Sequence, residues 1–145
     1  MGEDFRHAEV LTNPTERSVD YLEERAGNEE PFFLYVTLTA PHAPIIPTTD
    51  FIGKSNASAY GDFVVQVDHA VGRITETIAA DPRLANTLVF FTSDNGQSPR
   101  ADFDDDELPL AGHSGSMHYR GKKFDIYEGG HRVPFIASWP GQIKA

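Results

Sequence analysis

Three stretches of this 145-residue chain carry side chains able to do chemistry rather than only to pack. The first is Asp94-Asn95-Gly96, which closes the run Thr87-Leu-Val-Phe-Phe-Thr-Ser. A carboxylate beside an amide offers two hard oxygen ligands and no nitrogen, a set suited to calcium or magnesium rather than zinc. The same tripeptide is also good turn chemistry, and taken alone it reads as a turn at least as well. The second is Pro41-His42-Ala43-Pro44, a histidine held between two prolines. Such a group can donate a proton or bind an anion, although a lone loop histidine is as readily a plain surface residue. The third is Gly112-His-Ser-Gly-Ser-Met-His-Tyr-Arg-Gly-Lys-Lys123, with two histidines, an arginine and two lysines. That composition fits a local anion site or, equally, a solvated basic face. It leads into Tyr127-Glu-Gly-Gly-His-Arg-Val-Pro134, where paired glycines permit backbone shapes closed to other residues.

The bulk numbers restrict what these groups can serve. With a formal net charge of -10, the overall field repels polyanions, which argues against general nucleic-acid binding. An anionic substrate therefore needs a bound cation or a local basic cluster. The chain has no cysteine, hence no disulfide framework, thiolate metal site or cysteine nucleophile. Its apolar runs, such as Pro31 to Ala40, are too short to span a membrane. A hydrophobic share of 39% and a charged share of 23% are those of a folded globular chain.

The elements that must position the three stretches follow from pattern. Residues 1–10 read as a disordered lead-in. Thr12 or Asn13 as N-cap, Pro14 at the first helical position and Glu16 in the first turn predict a helix to about Arg25, with Val19 and Leu22 inward and Gly27 ending it. Pro31 to Thr39 predicts a strand buried on both faces, followed by a proline-rich loop over 40–58. Phe63, Val64, Val67, Val71, Ile74 and Ile78 fall at helical spacing from Tyr60 to Ala80, and Asp81-Pro82 breaks that helix. Thr87 to Thr92 and Val133 to Trp139 predict two further strands, with a long glycine-rich loop over 93–126 between them. The alternation predicts an α/β fold, a mostly parallel sheet with helices on its faces. In such a sheet, the loops bearing His42 and Asp94-Asn95 would lie beyond the carboxyl ends of their strands, facing one crevice. The acidic run from Asp102 to Glu107 reads as a solvated loop; a weak extra calcium site is the sharper alternative.

The motifs, in order, resemble the formylglycine-dependent, arylsulfatase-like sulfatases of the alkaline phosphatase superfamily. The matching text is Pro31-Phe-Phe-Leu-Tyr-Val, Pro41-His42-Ala-Pro44, Phe90-Phe-Thr-Ser-Asp94-Asn95-Gly96, Tyr119-Arg-Gly-Lys-Lys123 and Tyr127-Glu-Gly-Gly-His-Arg-Val-Pro-Phe-Ile-Ala-Ser-Trp-Pro-Gly141. Together these cover about residues 10 to 145. The resemblance implies sulfuric ester hydrolysis on a sulfated small molecule or glycan. It implies that Asp94 and Asn95 bind calcium (magnesium being possible), that Lys123 binds the sulfate oxygens, that His42 contacts the sulfate or the leaving oxygen, and that His113 contacts substrate. Lys122 stands one residue out of register with the family's lysine.

The family's nucleophile is a hydrated formylglycine made from a cysteine or serine in a Cys/Ser-x-Pro/Ala-x-Arg motif. The chain has no cysteine, and none of its serines stands in that pattern. The N-terminal strand that brings two adjacent aspartates to the metal is likewise not matched. On the resemblance, residues 1–145 are expected to be one partial catalytic domain, inactive in isolation, with a bare sheet edge open to self-association. Two alternatives stand beside this reading. One is a phosphatase or phosphodiesterase of the same superfamily, which Asn95 disfavours because asparagine is a poor zinc ligand. The other is a non-catalytic module binding sulfated glycans or a partner chain, which the acidic balance disfavours except at the loop from His113 to Arg132. Compartment is not readable from these residues; family habit is periplasmic, secreted or lysosomal.

Overall fold

The structure, a computed structural model, describes residues 6–98 and 115–144. The acidic run from Asp102 to Glu107, and His113, lie outside the described residues. The chain divides into two compact units, Met1–Thr87 and Leu88–Ala145.

The first unit is built on two helices. Helix α1 spans Thr12–Ala26, and helix α2 spans Ala59–Ala80. Leu11, rather than Thr12 or Asn13, occupies the N-cap position of α1, and it makes no side-chain cap. Burial explains this, because Leu11 is 1% exposed and sits in one core cluster with Ala40 and Phe63. Upstream of it, His7–Glu9 forms a 3-10 turn and Val10 packs on that cluster. Val19 and Leu22 face inward as their spacing requires, and Gly27 follows the last helical residue. In α2, Phe63 and Ala70 are buried, while Val67 packs on the first cluster and Ile74 and Ile78 on the second. The second cluster joins Leu22, Ala26 and Leu84. Burying a side chain such as Phe63 or Leu22 contributes about 1.5–3 kcal/mol.

Helix α2 has a capped start and a sharp stop. Ser58 accepts from the amide of Gly61 at the N-cap. At the other end Asp81 leaves the helical region, caps the amide of Arg83 at 2.9 Å and starts a 3-10 turn over Pro82–Leu84. That turn delivers Leu84, 3% exposed, into the second cluster.

Two further expectations are corrected. Residues 31–39 are extended but join no strand ladder among the described residues. Their exposure alternates instead of vanishing on both sides. Phe32 and Leu34 pack on the second cluster and Leu38 on the first, while Phe33 and Tyr35 are 89% and 77% exposed. A strand is buried on both faces only when neighbours cover both, and here the helices cover one.

The second correction concerns the sheet. In the second unit, β1 (Val89–Thr92) pairs with β2 (Phe135–Ser138) antiparallel, with Val89 opposite Ser138 and Thr92 opposite Phe135. The sheet among the described residues is this two-stranded antiparallel ribbon, not a mostly parallel one. A parallel neighbour needs a crossover, usually a helix of several turns. Among the described residues, the link from β1 to β2 holds only the four-residue helix α3, Glu128–His131. Phe90 and Phe135 meet across the ribbon with centroids 5.3 Å apart.

Candidate functional site

Asp94 and Asn95 leave the end of β1, Asp94 exposed and Asn95 half-buried. Ser93 steadies their loop, its hydroxyl donating to the carbonyl of Asn95 at 3.0 Å. Gly96, directly behind them, does more than allow a tight turn. Its amide donates to the carbonyl of Gly130 at 2.9 Å, and a Cβ built on Gly96 would collide with the carbonyl of Gly129. The next contact joins the same loop to the basic segment, with the amide of Lys123 donating to the carbonyl of Gln97 at 2.9 Å.

The paired glycines complete this arrangement from the other side. Gly129 donates its amide to the carbonyl of Arg120 at 2.8 Å. A Cβ at Gly129 would strike the carbonyl of Gly121, and one at Gly130 would strike the carbonyl of Asp125. Three backbone segments thus lie closer than side chains would permit: 94–97, 120–125 and 128–130. The consequence is that Asp94, Asn95 and Lys123 project from segments fastened directly to one another.

The side chains around this weave are partly committed. The guanidinium of Arg120 stands 3.7 Å from the ring centroid of Tyr127, and that of Arg132 stands 4.8 Å from that of Tyr119. Arg132 also pairs with Glu128 at 3.0 Å. His131 donates Nε2–H to the carbonyl of Ile126 at 3.0 Å. Among the described residues the Asp94 carboxylate carries no hydrogen bond or ion pair, and Lys123 is half-buried with its Nζ 5.4 Å from the ring centroid of Phe124. The arginines therefore brace the loop through ring faces, while Asp94 and Lys123 present opposite charges from adjoining segments.

The donor set of the Asp94 loop fits a hard cation. It offers a carboxylate and an amide oxygen on consecutive residues, with no sulfur or imidazole beside them. Among the described residues no group of three or more histidine, cysteine or acidic side chains gathers around a common point.

His42 belongs to the first unit. Its amide donates to the carbonyl of Thr39 at 3.2 Å, which closes the turn after the extended segment. Its Nδ1 lies 2.8 Å from the carbonyl of Ala43. A carbonyl only accepts, so Nδ1 carries the proton and Nε2 is the atom presented to solvent.

The same unit holds residues that sequence reasoning passed over. The buried carboxylate of Asp62 accepts from the amides of Gly53 and Ser55 at 2.6 and 2.8 Å and from the Ser55 hydroxyl at 2.7 Å. Burial pushes its pKa up, and these bonds, with a further one from the Lys54 amide, outweigh that and lower it. Gln66, one turn on, accepts from the amide of Thr48 at 2.9 Å. Together they moor the loop 48–58 to α2. The available signal was a polar pair, Asp62 and Gln66, four residues apart on an otherwise apolar helix face.

Residues 7–145 match the family described as Sulfatase. The chain belongs to the sulfatase family. It is 36% identical over 138 residues to an N-acetylgalactosamine-6-O-sulfatase of Bacteroides thetaiotaomicron, a match covering 94% of this chain and 26% of that one. It superposes on a solved sulfatase structure described with the metabolism of multiple glycosaminoglycans by Bacteroides thetaiotaomicron, with a TM-score of 0.84 and 34% identity, over 97% of this chain and 29% of the other. A second solved structure, Ps i-CgsB in complex with a neocarrahexaose, matches with a TM-score of 0.75 and 26% identity, over 90% of this chain and 28% of the other. The fold is therefore that of a sulfatase, of the alkaline phosphatase type, and the relatives are hydrolases. The chain spans about a quarter of the length of the curated relative it matches.

Proposed function

We propose that this chain supplies part of the site of a sulfuric ester hydrolase acting on a sulfated small molecule or glycan. The observation that carries the reading is the backbone weave in which Gly96 and Gln97, behind Asp94-Asn95, bond directly to Gly130 and Lys123. It places a hard-oxygen pair and an ammonium group on adjoining segments, the combination a sulfate ester needs. In sulfuryl transfer a nucleophile, which these residues do not supply, bonds to sulfur as the S–O bond to the departing alcohol breaks. The alcohol oxygen takes the electron pair and then a proton. Lys123 would hold the sulfate oxygens by charge-assisted hydrogen bonds, which fix the group in place and offset its negative charge as the nucleophile approaches. Asp94 and Asn95 would hold a calcium ion, or magnesium, which when bound supplies further positive charge to the sulfate. His42 is assigned to the sulfate or the leaving oxygen on the family resemblance. To donate from Nε2 while Nδ1–H holds the Ala43 carbonyl, its ring must carry both protons. His113 is assigned to substrate contact on the family resemblance alone. None of the 145 residues has the sequence context of a formylglycine precursor, so the chain taken by itself is expected to bind but not to turn over.

Support for a glycan comes from the relatives, one named for N-acetylgalactosamine-6-O-sulfate and one solved with a bound oligosaccharide. The test is a chimaera in which residues 7–145 replace the matched segment of the Bacteroides thetaiotaomicron N-acetylgalactosamine-6-O-sulfatase. Hydrolysis of 4-methylumbelliferyl sulfate well above that of the corresponding phosphate is expected. A folded chimaera that prefers the phosphate would assign these residues to phosphoryl transfer. A folded chimaera that hydrolyses neither ester would leave the binding-module reading.

A further inference from the structure

The turn that carries Lys123 has an occupant its geometry disfavours. The amide of Asp125 donates to the carbonyl of Lys122 at 2.9 Å, and the Asp125 carboxylate takes the amide of Lys122 at 3.0 Å. These bonds close a four-residue β-turn over Lys122–Asp125. Its third residue, Phe124, has φ +82, while Lys123 before it stays at negative φ. That is the type II pattern, whose third position belongs to glycine or asparagine. A Cβ is crowded there, and for a bulky side chain the conformation is an outlier.

No packing among the described residues explains the phenylalanine. Its ring is 86% exposed, and Ile126 two residues on is 87% exposed, so neither gains the burial that offsets a strained backbone. Strained residues persist where surrounding bonds hold them, and they gather at ligand sites. Here the holding bonds are those of Asp125 and of the Lys123 amide to Gln97. They present the ring to solvent with the Lys123 ammonium 5.4 Å from its centroid. An ester whose sulfate is hydrogen-bonded to that ammonium at about 3 Å has its next carbons within reach of the ring.

We propose that Phe124 is a specificity-determining residue, a platform on which the apolar face of a pyranose stacks while Lys123 holds that sugar's sulfate. This rests on the reading of Lys123 as the sulfate ligand. The ring adds nothing for inorganic sulfate, which has no carbon face, and it favours sulfated sugars over compact sulfates.

The test uses the full 145-residue chain, with NMR titrations against inorganic sulfate and against N-acetylgalactosamine 6-sulfate. The wild type should bind the sugar sulfate roughly 3- to 10-fold more tightly than inorganic sulfate. Phe124→Asn, which suits the turn, should bring the two affinities within about twofold, leave that for inorganic sulfate unchanged, and keep or raise the melting temperature. Phe124→Trp should retain the preference. Sulfate binding without a preference for the sugar, or a preference that survives Phe124→Asn, overturns the platform and leaves the Lys123 reading standing. A lower melting temperature for Phe124→Asn assigns the ring a packing role and likewise overturns it. If neither ligand perturbs the Lys123 resonances, the sulfate reading fails and the platform with it.

Discussion

The amide of Gly96 donates to the carbonyl of Gly130 at 2.9 Å, fastening the residue behind Asp94-Asn95 to the glycine pair behind the lysine turn. Backbones approach this closely only where no Cβ intervenes, and a Cβ on Gly96 would run into the carbonyl of Gly129. Gly96→Ala should therefore cost about 1–3 kcal/mol in urea unfolding. Gly72→Ala is the control, because a Cβ there meets nothing and the site is a helix interior. It should gain about 0.5–1 kcal/mol. Equal stabilities of wild type and Gly96→Ala would mean that the weave is not present in solution.

Asp62 links stability to pH. Its folded-state pKa lies below the ordinary 3.8 because the bonds from Ser55, Gly53 and Lys54 outweigh the upward push of burial. A depressed carboxylate contributes stability that is present above about pH 4 and lost as pH falls through the folded value. Asp62→Asn should cost about 1–3 kcal/mol at neutral pH, since an amide nitrogen would face donors. It should also flatten the acid limb of the urea midpoint measured against pH. An acid limb as steep in Asp62→Asn as in wild type would exclude Asp62 as its source.

Asp81 should titrate at about 2, held down by the side chain of Arg83 and then by its amide. The guanidinium engages both carboxylate oxygens, with Nε at 2.9 Å from one and Nη2 at 2.5 Å from the other. Carboxyl NMR shifts followed against pH measure this directly. Arg83→Ala should move the midpoint up toward 3.8. Because the pair is exposed, little change in overall stability should accompany that shift.

Calcium binding by the chain alone should be weak. Asp94 and Asn95 give two oxygen ligands where calcium takes six to eight, and no further acidic cluster stands with them among the described residues. Calorimetric titration should return a Kd above about 10⁻⁴ M, or no heat. Tight, stoichiometric binding that Asp94→Ala abolishes would show that the chain builds a complete site.

Local rules of the chain make its helix ends and buried helix faces legible in the sequence. The stop at Asp81-Pro82 and the inward faces of α1 and α2 follow from capping and 3.6-residue spacing, and they hold. The antiparallel pairing of β1 with β2 was not legible, because an apolar run such as Val89–Thr92 does not encode the direction of its neighbour. Residues 31–39 show the same limit, since their composition allows two buried faces and only the helices present decide that one is covered. At the candidate site, residue types pointed to Asp94, Asn95 and a basic segment, and only the family resemblance singled out Lys123 within it. The close approach of Gly96 to Gly129 and Gly130 could not be read, since a glycine signals freedom without naming what approaches. Asp62 was hidden for a related reason, being an acidic residue whose partners are backbone amides of no distinctive sequence.

The proposed sulfate ligand is Lys123, not its neighbour Lys122. The most direct test is the kcat for 4-methylumbelliferyl sulfate of the chimaera carrying residues 7–145, with Lys123→Ala and Lys122→Ala compared. Loss of one preorganised charge donor to the transferring group costs about 10²- to 10³-fold in kcat. That loss is expected for Lys123→Ala, and less than about tenfold for Lys122→Ala. A Lys123→Ala chimaera that is folded and retains full activity, or a larger loss at Lys122, would contradict it.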